Sequence, residues 1–186
     1  MYNSVRLTRR NSNKRAATNE RTMEVLNMQN FTDTAFLNSV WLRSLQQNWE
    51  GICDSWFPKC GRGVVATMPF RRGDVIVDYH GKRVEGFSHI DYSTRTGNSE
   101  WVLQLKPRLL IDATDEYCDC ASCPKNHRLL GRLFNHAPDR RSNRSNVRLL
   151  RVQLGDEILP LLIAKRDIAP LEHLRFDYGD KNANFL

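Results

Sequence analysis

The stretch from residue 61 to residue 81, GRGVVATMPFRRGDVIVDYHG, carries most of the information about the fold. It contains two runs rich in β-branched residues, Val64–Thr67 and Val75–Tyr79, on either side of a turn signal at Arg72-Gly73. Residues of this kind pack well on a pleated surface, and Gly marks the place where the chain reverses. We therefore predict two short strands in this stretch.

The same pattern of short apolar runs separated by turn residues continues downstream to residue 177. Five further runs are predicted as strands: Trp101–Leu105, Leu109–Asp112, Val147–Leu154, Leu159–Ala164 and Leu174–Asp177. No sequence period of about 20 to 50 residues repeats, which argues against solenoids and propellers. Many short strands with few helical patterns predict a mainly β fold with short helices, in the α+β class.

A helical pattern lies upstream of these strands. Apolar residues recur there at four-residue spacing: Leu37, Trp41, Leu45 and Trp49. Thr32 or Asp33 can cap the N-terminus of such a helix. We predict an amphipathic helix of roughly four turns within a helical flanking segment, residues 22–50, whose apolar stripe packs on the main domain, residues 51–186.

Length and composition are those of a folded globular protein. The chain has 186 residues, of which 40% are hydrophobic and 26% are charged. These values argue against a fibrous, collagenous or wholly disordered chain. The longest apolar stretch, Ile158–Ala164, contains a proline and is far shorter than the ~20 residues of a membrane span. The sequence therefore predicts a protein without a membrane partner and without a secretion signal.

The net charge of +7 is concentrated in two places. Residues 1–21 carry six basic side chains against one acid, and they lack apolar periodicity, so we predict a disordered basic arm. Residues 128–151 contain seven Arg and one acid. Both regions are suited to non-specific contact with DNA phosphates, although a solvated face and an unstructured tail have the same composition.

Three of the five cysteines lie within six residues, at Cys118, Cys120 and Cys123. This crowding is unlike a disulfide framework and favours reduced thiols in a nuclear or cytosolic setting. With His127 the three form C-x-C-x2-C-x3-H, which offers four ligands for a structural zinc within an insert at 115–131. The alternative is a loop of free thiols. Cys53 and Cys60 are predicted to be buried as small apolar residues.

Four short segments, taken together, indicate a family: Gly61-Arg62-Gly63, Asp78-Tyr79-His80-Gly81, Arg132-Leu133-Phe134-Asn135-His136 and Phe176-Asp177-Tyr178-Gly179-Asp180. In this order, with Ile111–Thr114 between the second and the third, they resemble the SET-domain protein lysine methyltransferases over residues 50–180. The run at 61–81 and the ending FDYGD are most similar to the PR/SET branch that monomethylates the histone H4 tail on nucleosomes.

The resemblance implies a β-clip fold with a knotted C-terminal segment. It also implies transfer of a methyl group from S-adenosylmethionine to a lysine of a histone tail, in a nuclear, chromatin-associated protein that works as a monomer. The residues that it implies for cofactor binding are Gly61, Arg62 and Gly63 as a loop, Arg132, Asn135, His136, Tyr178 and Phe185. It assigns catalysis to Tyr178 and Tyr79, and the number of methyl groups added to Phe176.

The tyrosines also suit this chemistry on physical grounds. A free lysine has a pKa of ~10.4, so its amine must lose a proton before it can attack a methyl group. A narrow aromatic channel removes water and lowers that pKa, while ring faces attract a sulfonium cation and hydroxyls orient the amine. Positioning then supplies most of the rate.

Four positions depart from the pattern of the family. Ala137 replaces the Ser after Asn-His, Leu171 replaces a Gly in a turn, His173 replaces a Glu, and Phe176 stands where monomethylating relatives usually have Tyr. The last departure predicts di- or trimethyl-lysine as product. The first two leave open an alternative, a non-catalytic SET-like module that binds nucleosomes or other proteins through basic surfaces.

Overall fold

The computed structural model describes residues 33–97, 99–120, 123, 127–137 and 144–178. The predicted basic arm and Phe185 lie outside these described residues. The elements in chain order are α1 (Thr34–Gln46), β1 (Ile52–Phe57), β2 (Gly61–Ala66), β3 (Val75–Asp78), β4 (Lys82–Glu85), α2 (His89–Thr96), β5 (Val102–Lys106), β6 (Leu109–Asp112), β7 (Asn135–His136), β8 (Val147–Leu154), β9 (Glu157–Ala164) and β10 (His173–Phe176). The predicted mainly β class with short helices is confirmed.

The larger sheet has the strand order β1-β2-β10-β8-β9-β3, and β7 lies beside β10. Strand β10 is antiparallel to β2 and parallel to both β7 and β8. The last described strand of the chain therefore joins the first half of the sheet to the second. A smaller sheet has the order β4-β6-β5 and is antiparallel throughout.

The core follows this division into two sheets. Buried residues such as Val64, Phe134 and Leu174 form the main core of the larger sheet. A second cluster under the smaller sheet includes Tyr79 and Ile111. Tyr79 follows β3 of the larger sheet, so it lies where the two sheets meet.

Helix α1 begins where the capping signal placed it, because Asp33 Oδ1 accepts a hydrogen bond from the Ala35 amide at 2.8 Å. It ends at Gln46, and Gln47 is in the left-handed conformation with φ 50°. Its deepest face carries Val40 and Ser44, whereas the predicted stripe is only half-buried. Val40, with Trp41 and Trp49 beside it, packs in an apolar cluster formed with β3 and β9, as predicted, while Ser44 donates a hydrogen bond to Asp78.

Three strands, one α-helix and the single 3-10 turn at Gly131–Leu133 were not predicted among the described residues. Strands β1 and β4 are missed because polar residues interrupt their apolar pattern, and β7 has only two residues. Helix α2 buries none of its residues, and its only signals are the caps at Ser88 and Gly97.

Two local predictions are wrong. The predicted loop at Gly61–Gly63 is instead the first half of β2, because these residues pair in register with residues 55–57 of β1. Cys53 and Cys60 are exposed rather than buried, since Cys53 lies on the edge strand β1 and Cys60 in the turn that follows it.

Within the described part of the chain, no helix is both long and apolar enough to cross a membrane.

Candidate functional site

The parallel pairing of β7 with β10 brings two of the four sequence motifs together. Phe176 stands opposite His136 in this register. Two residues further on, the Tyr178 amide donates to His136 Nδ1 at 3.2 Å, and the two rings meet edge to face at 5.0 Å. The Tyr178 hydroxyl turns inward and donates to the Phe134 carbonyl at 2.5 Å. Residues separated by about 40 positions thus form one site.

The Asn135 side chain ties the Gly-Arg-Gly segment to this site. Its Nδ2 group donates to the carbonyls of Arg62 at 3.1 Å and Cys60 at 3.4 Å. Both glycines are needed there. A Cβ atom on Gly63 would lie 2.2 Å from Asn135 Oδ1, and Gly61 has a φ of 72°, in the left-handed region.

His173 is a member of the site that the sequence analysis missed. Its Nε2 lies 2.7 Å from Asn135 Oδ1, and its ring stacks on Phe57 with centroids 3.5 Å apart. Burial, and then the nearby Arg175, lower the pKa of His173 to about 4. The ring is therefore neutral near pH 7 and can donate its Nε2 proton to Asn135. Its only signal in the sequence was a His at a position where the family pattern has Glu.

These contacts engage both ends of the Asn135 amide within the protein. The amide fixes the segment of Arg62 and Gly63 against β7. Direct contact between Asn135 and a cofactor stays a prediction. Because both ends of its side-chain amide are engaged, the backbone of Asn135 would make that contact in this arrangement.

Tyr79 connects the second motif to the third through Trp101. Its buried hydroxyl donates to the Trp101 carbonyl at 3.1 Å. The guanidinium of Arg132 lies 4.0 Å over the Trp101 ring and donates to the Thr114 carbonyl at 3.0 Å. These contacts give Arg132 a place in the wall of the site, and its predicted contact with a cofactor stays a prediction.

Both phenols are held in the neutral form near pH 7. Burial, and then the neighbouring Tyr178 phenol, raise the pKa of Tyr79 above its ordinary value. Burial, and then Cys60, raise the pKa of Tyr178 to about 12. Although Tyr178 as a residue is 40% exposed, its hydroxyl is bonded inward. The buried Phe176 ring packs at 4.7 Å from the Tyr178 ring.

This set of groups fits a sulfonium donor and a neutral amine. Tyrosine rings attract a sulfonium through their electron-rich faces, and neutral hydroxyls accept or donate hydrogen bonds without forming a trapped ion pair. Because Tyr178 is partly exposed, a ligand can reach its ring from solvent.

Arg62 links the site to the cysteine insert. Its guanidinium pairs with Glu116 at 3.2 Å, and Glu116 also accepts from Arg128. Hydrogen bonds from Arg62, and then from Arg128, lower the pKa of Glu116. This exposed pair is suited to fixing the position of the insert rather than to stabilising the fold.

The insert brings together the three predicted cysteines but a different histidine. The ligand atoms of His80, Cys118, Cys120 and Cys123 all lie within 4.8 Å of one another. His127 is not part of this group. Its carbonyl accepts from the Cys118 amide at 3.4 Å, next to a bridge between Tyr117 and Arg128, so its backbone pairs with the cysteine segment. The group therefore contains His80 in place of the predicted His127, and its donor types are compatible with zinc.

Residues 61–179 match the family described as SET domain, and the chain belongs to that family. Among solved structures, the ATXR5 SET domain in complex with a di-methylated histone H3 superposes with a TM-score of 0.60 at 17% identity, over 83% of this chain and 69% of that one. This likeness shows the shared fold.

Curated relatives agree with that family. The chain is 32% identical over 155 residues to the histone-lysine N-methyltransferase Set8 of Drosophila pseudoobscura, covering 78% of this chain and 21% of the relative. It is 32% identical over 133 residues to the N-lysine methyltransferase KMT5A of Xenopus tropicalis, covering 68% of this chain and 35% of the relative. The chain therefore spans between about a fifth and a third of the length of these relatives.

Proposed function

We propose that this chain transfers a methyl group from S-adenosylmethionine to the side-chain amine of a lysine in a histone tail. The observation that carries the proposal is the placement of two protonated phenols, Tyr79 and Tyr178, beside the junction of β7 and β10. Relatives that are named as histone-lysine methyltransferases support it.

When bound, S-adenosylmethionine supplies a methyl group on a positively charged sulfur, which departs with the electron pair of the broken bond. The backbone of Gly61–Gly63 and of the Asn135-His136 pair would hold this molecule, because both segments meet at the Asn135 side chain. His136 is fixed by the Tyr178 amide, so binding and catalytic residues move together.

Tyr178 and Tyr79 are expected to position the amine. Each hydroxyl donates its proton to a fixed carbonyl, of Phe134 and Trp101 respectively, which sets the direction of the oxygen lone pairs. A neutral lysine amine can donate to such lone pairs and point its own lone pair at the methyl carbon. The buried surroundings favour the neutral amine because desolvation penalises an ammonium ion.

Phe176 is proposed to set the number of methyl groups. A hydroxyl at this position would hold a water beside the amine, and that water occupies the space that a methyl group needs. Phe176 has no hydroxyl, so we expect di- or trimethyl-lysine by mass spectrometry. Phe176→Tyr should shift the product toward monomethyl-lysine. A wild-type product that stops at one methyl after long incubation would refute this role for Phe176.

The substrate is proposed to be a histone within a nucleosome, in the nucleus, with the protein acting as a monomer. The arm at residues 1–21 would contact DNA phosphates without sequence preference, since it carries a net charge of +5 from six basic residues and one acid. Deleting it should weaken nucleosome binding and flatten the dependence of log affinity on log salt. An unchanged slope would contradict a role of the arm in DNA contact.

The test of the main proposal uses the full chain, radiolabelled S-adenosylmethionine, and two substrates in parallel, free core histones and nucleosomes. Label is expected on a histone lysine in at least one of them. The alternative, a non-catalytic module that binds nucleosomes through basic surfaces, predicts nucleosome binding without label. Binding without label on either substrate would therefore overturn the proposed activity.

A further inference from the structure

His80 and the three insert cysteines form a group of donors outside the methyl-transfer site. His80 follows Tyr79 at the end of β3, whereas the cysteines belong to the insert at 115–131. We propose that these four residues bind one zinc ion tetrahedrally, and that the metal fastens the insert to the end of β3. Binding would release three thiol protons to solvent, so that three thiolates and one neutral imidazole hold the ion.

The distances among three of the four donors are close to those of a tetrahedral site. Zinc–sulfur bonds of about 2.3 Å and a zinc–nitrogen bond of about 2.0 Å place neighbouring donors about 3.5 to 3.8 Å apart. In the structure His80 Nε2 lies 3.6 Å from Cys120 Sγ and 3.3 Å from Cys123 Sγ. The sulfurs of Cys120 and Cys123 are 3.2 Å apart. A small outward shift of the Cys120 and Cys123 sulfurs brings these three donors to tetrahedral spacing, and the Cys118 sulfur lies within 4.8 Å of each of them.

The histidine is oriented toward the sulfurs by a carboxylate behind it. His80 Nδ1 lies 3.0 Å from Asp78 Oδ2, so this nitrogen donates its proton to Asp78 and leaves the Nε2 lone pair directed at the cysteines. Carboxylate–histidine–zinc arrangements of this kind fix both the tautomer and the ring angle of a metal ligand.

Asp78 is itself held firmly, which makes it a rigid support. It is 2% exposed and accepts hydrogen bonds from three side chains: Ser44 Oγ at 2.5 Å, Gln47 Nε2 at 2.9 Å and Trp49 Nε1 at 3.0 Å. These donors lie in and just after α1. A continuous series of side-chain contacts runs from α1 through Asp78 and His80 to the cysteines. The metal would therefore connect three segments that are far apart in sequence.

The donor types select zinc among common metals. Three sulfurs with one imidazole nitrogen suit a soft-to-borderline ion with tetrahedral preference, and four protein ligands leave no open position. A site without an open position is structural rather than catalytic. It therefore differs from the methyl-transfer site in both ligands and role.

The experiment measures metal on the full chain, purified with a thiol reductant and without chelator. We expect about one zinc per chain by inductively coupled plasma mass spectrometry. After exchange with cobalt, we expect the intense visible bands of tetrahedral cobalt and the sulfur-to-cobalt charge-transfer absorption of three thiolates. Absence of bound metal after addition of zinc to the reduced chain would overturn the proposal, as would a cobalt spectrum of octahedral type.

Matched variants identify the ligands. His80→Ala and Cys123→Ser should lose stoichiometric zinc, with at least tenfold weaker binding in competition with a chromogenic chelator. His127→Ala and Cys53→Ser should keep it, because His127 is outside the group and Cys53 lies on β1. Loss of zinc in His127→Ala with retention in His80→Ala would refute the ligand set. If a variant does not fold, the cobalt spectrum of the wild-type chain still decides how many thiolates bind.

Discussion

Tyr79 and His80 are consecutive residues, yet they belong to two regions that are built differently. Tyr79 faces the site formed by the pairing of β7 with β10, where backbone hydrogen bonds place most groups. His80 faces a cluster whose other donors are side chains of a short insert, and its own ring is held by the Asp78 carboxylate. Because hydrogen bonds to backbone atoms place most groups of the first region, this region should keep its shape when a single side chain is changed. The second should depend on each of its few donors.

The largest effect is expected when the first region loses one hydroxyl. Tyr178→Phe should lower methyl transfer by about a hundredfold or more, because a preorganised polar group at the reacting centre is worth that much. The fold should persist, since the Tyr178 backbone bond to His136 remains. Rates with radiolabelled cofactor and the zinc content of the same sample are measured together.

Tyr117→Phe is the matched control for that variant, because Tyr117 is exposed on the insert. It should leave both rate and zinc content near the wild-type values. A Tyr178→Phe rate within a few-fold of wild type would remove Tyr178 from the chemistry. Loss of zinc from Tyr178→Phe would show that the two regions are not separate.

Removing the metal tests the second region and should have the next largest effect. At free zinc a thousandfold above its dissociation constant, binding stabilises the folded chain by about 4 kcal/mol. Stripping zinc with a chelator should therefore lower the melting temperature by about 10 °C in a chain of this size. Differential scanning fluorimetry with and without chelator measures the shift. His80→Ala should melt at the same temperature in both conditions, and an equal shift in this variant would contradict the assignment.

A stability gain of smaller size is expected from the turn that leads into β10. Leu171 has φ 68° and is 83% exposed, so its side chain bears the steric cost of a left-handed residue without compensating burial. Leu171→Gly should stabilise the chain by about 0.5 to 1 kcal/mol after allowing for the more flexible unfolded state. A rise of about 2 °C in melting temperature would record it.

Leu42→Gly is the control for this change, since Leu42 is exposed but lies within α1. It should destabilise the chain by about 1 kcal/mol, because glycine disfavours a helix interior. If both substitutions lower the melting temperature, Leu171 is not strained.

The smallest effect concerns pH and His173. Its pKa is about 4 in the folded chain against 6.5 for an ordinary histidine, because burial, and then Arg175, disfavour its charged form. Between these values the unfolded chain binds a proton that the folded chain does not, so stability is full above pH 6.5 and falls on acidification toward pH 4. The ring is half-buried, so the slope should be shallow.

Urea midpoints of the wild type and His173→Gln at pH 7 and pH 5 measure this slope. The glutamine amide can still donate to Asn135, but it does not titrate. Its stability should therefore fall less between the two pH values. Equal losses in the two chains would show that His173 does not contribute to the pH dependence.

Much of the fold could be predicted from local signals. The β-branched runs mark β3, β6 and β8 closely, and the capping residue Asp33 marks the start of α1. The strands that escaped prediction carry polar side chains at a sheet edge or have only two residues. An apolar pattern in the sequence indicates a strand whose side chains are buried, and these strands have few buried side chains.

The candidate site could be predicted in part, from the order of the motifs rather than from local composition. Motif order indicated that Tyr79, His136 and Tyr178 belong together, and the structure places Tyr178 against His136 and near enough to Tyr79 to raise its pKa. Sequence spacing favoured His127 as the fourth zinc ligand because it is four residues from Cys123, while His80 is 43 residues away. A short sequence spacing, as for His127, does not show the direction in which a histidine side chain points. A contact between residues far apart in sequence, as for His80, arises only from the fold and leaves no local signal. The bonds of Asp78 to α1 and of His173 to Asn135 were hidden in the same way.

The central place of β10 in the larger sheet also bears on how the protein is made. Its neighbours β2, β7 and β8 all precede it in the chain, and β2 precedes it by more than 100 residues. At ordinary translation speeds β2 leaves the ribosome on the order of ten seconds before β10. During that interval the edge of β2 that faces away from β1 lacks its partner β10, and an unpaired edge invites association with other chains. A chaperone that covers this edge during synthesis should therefore raise the yield of soluble protein more than a change of buffer after purification.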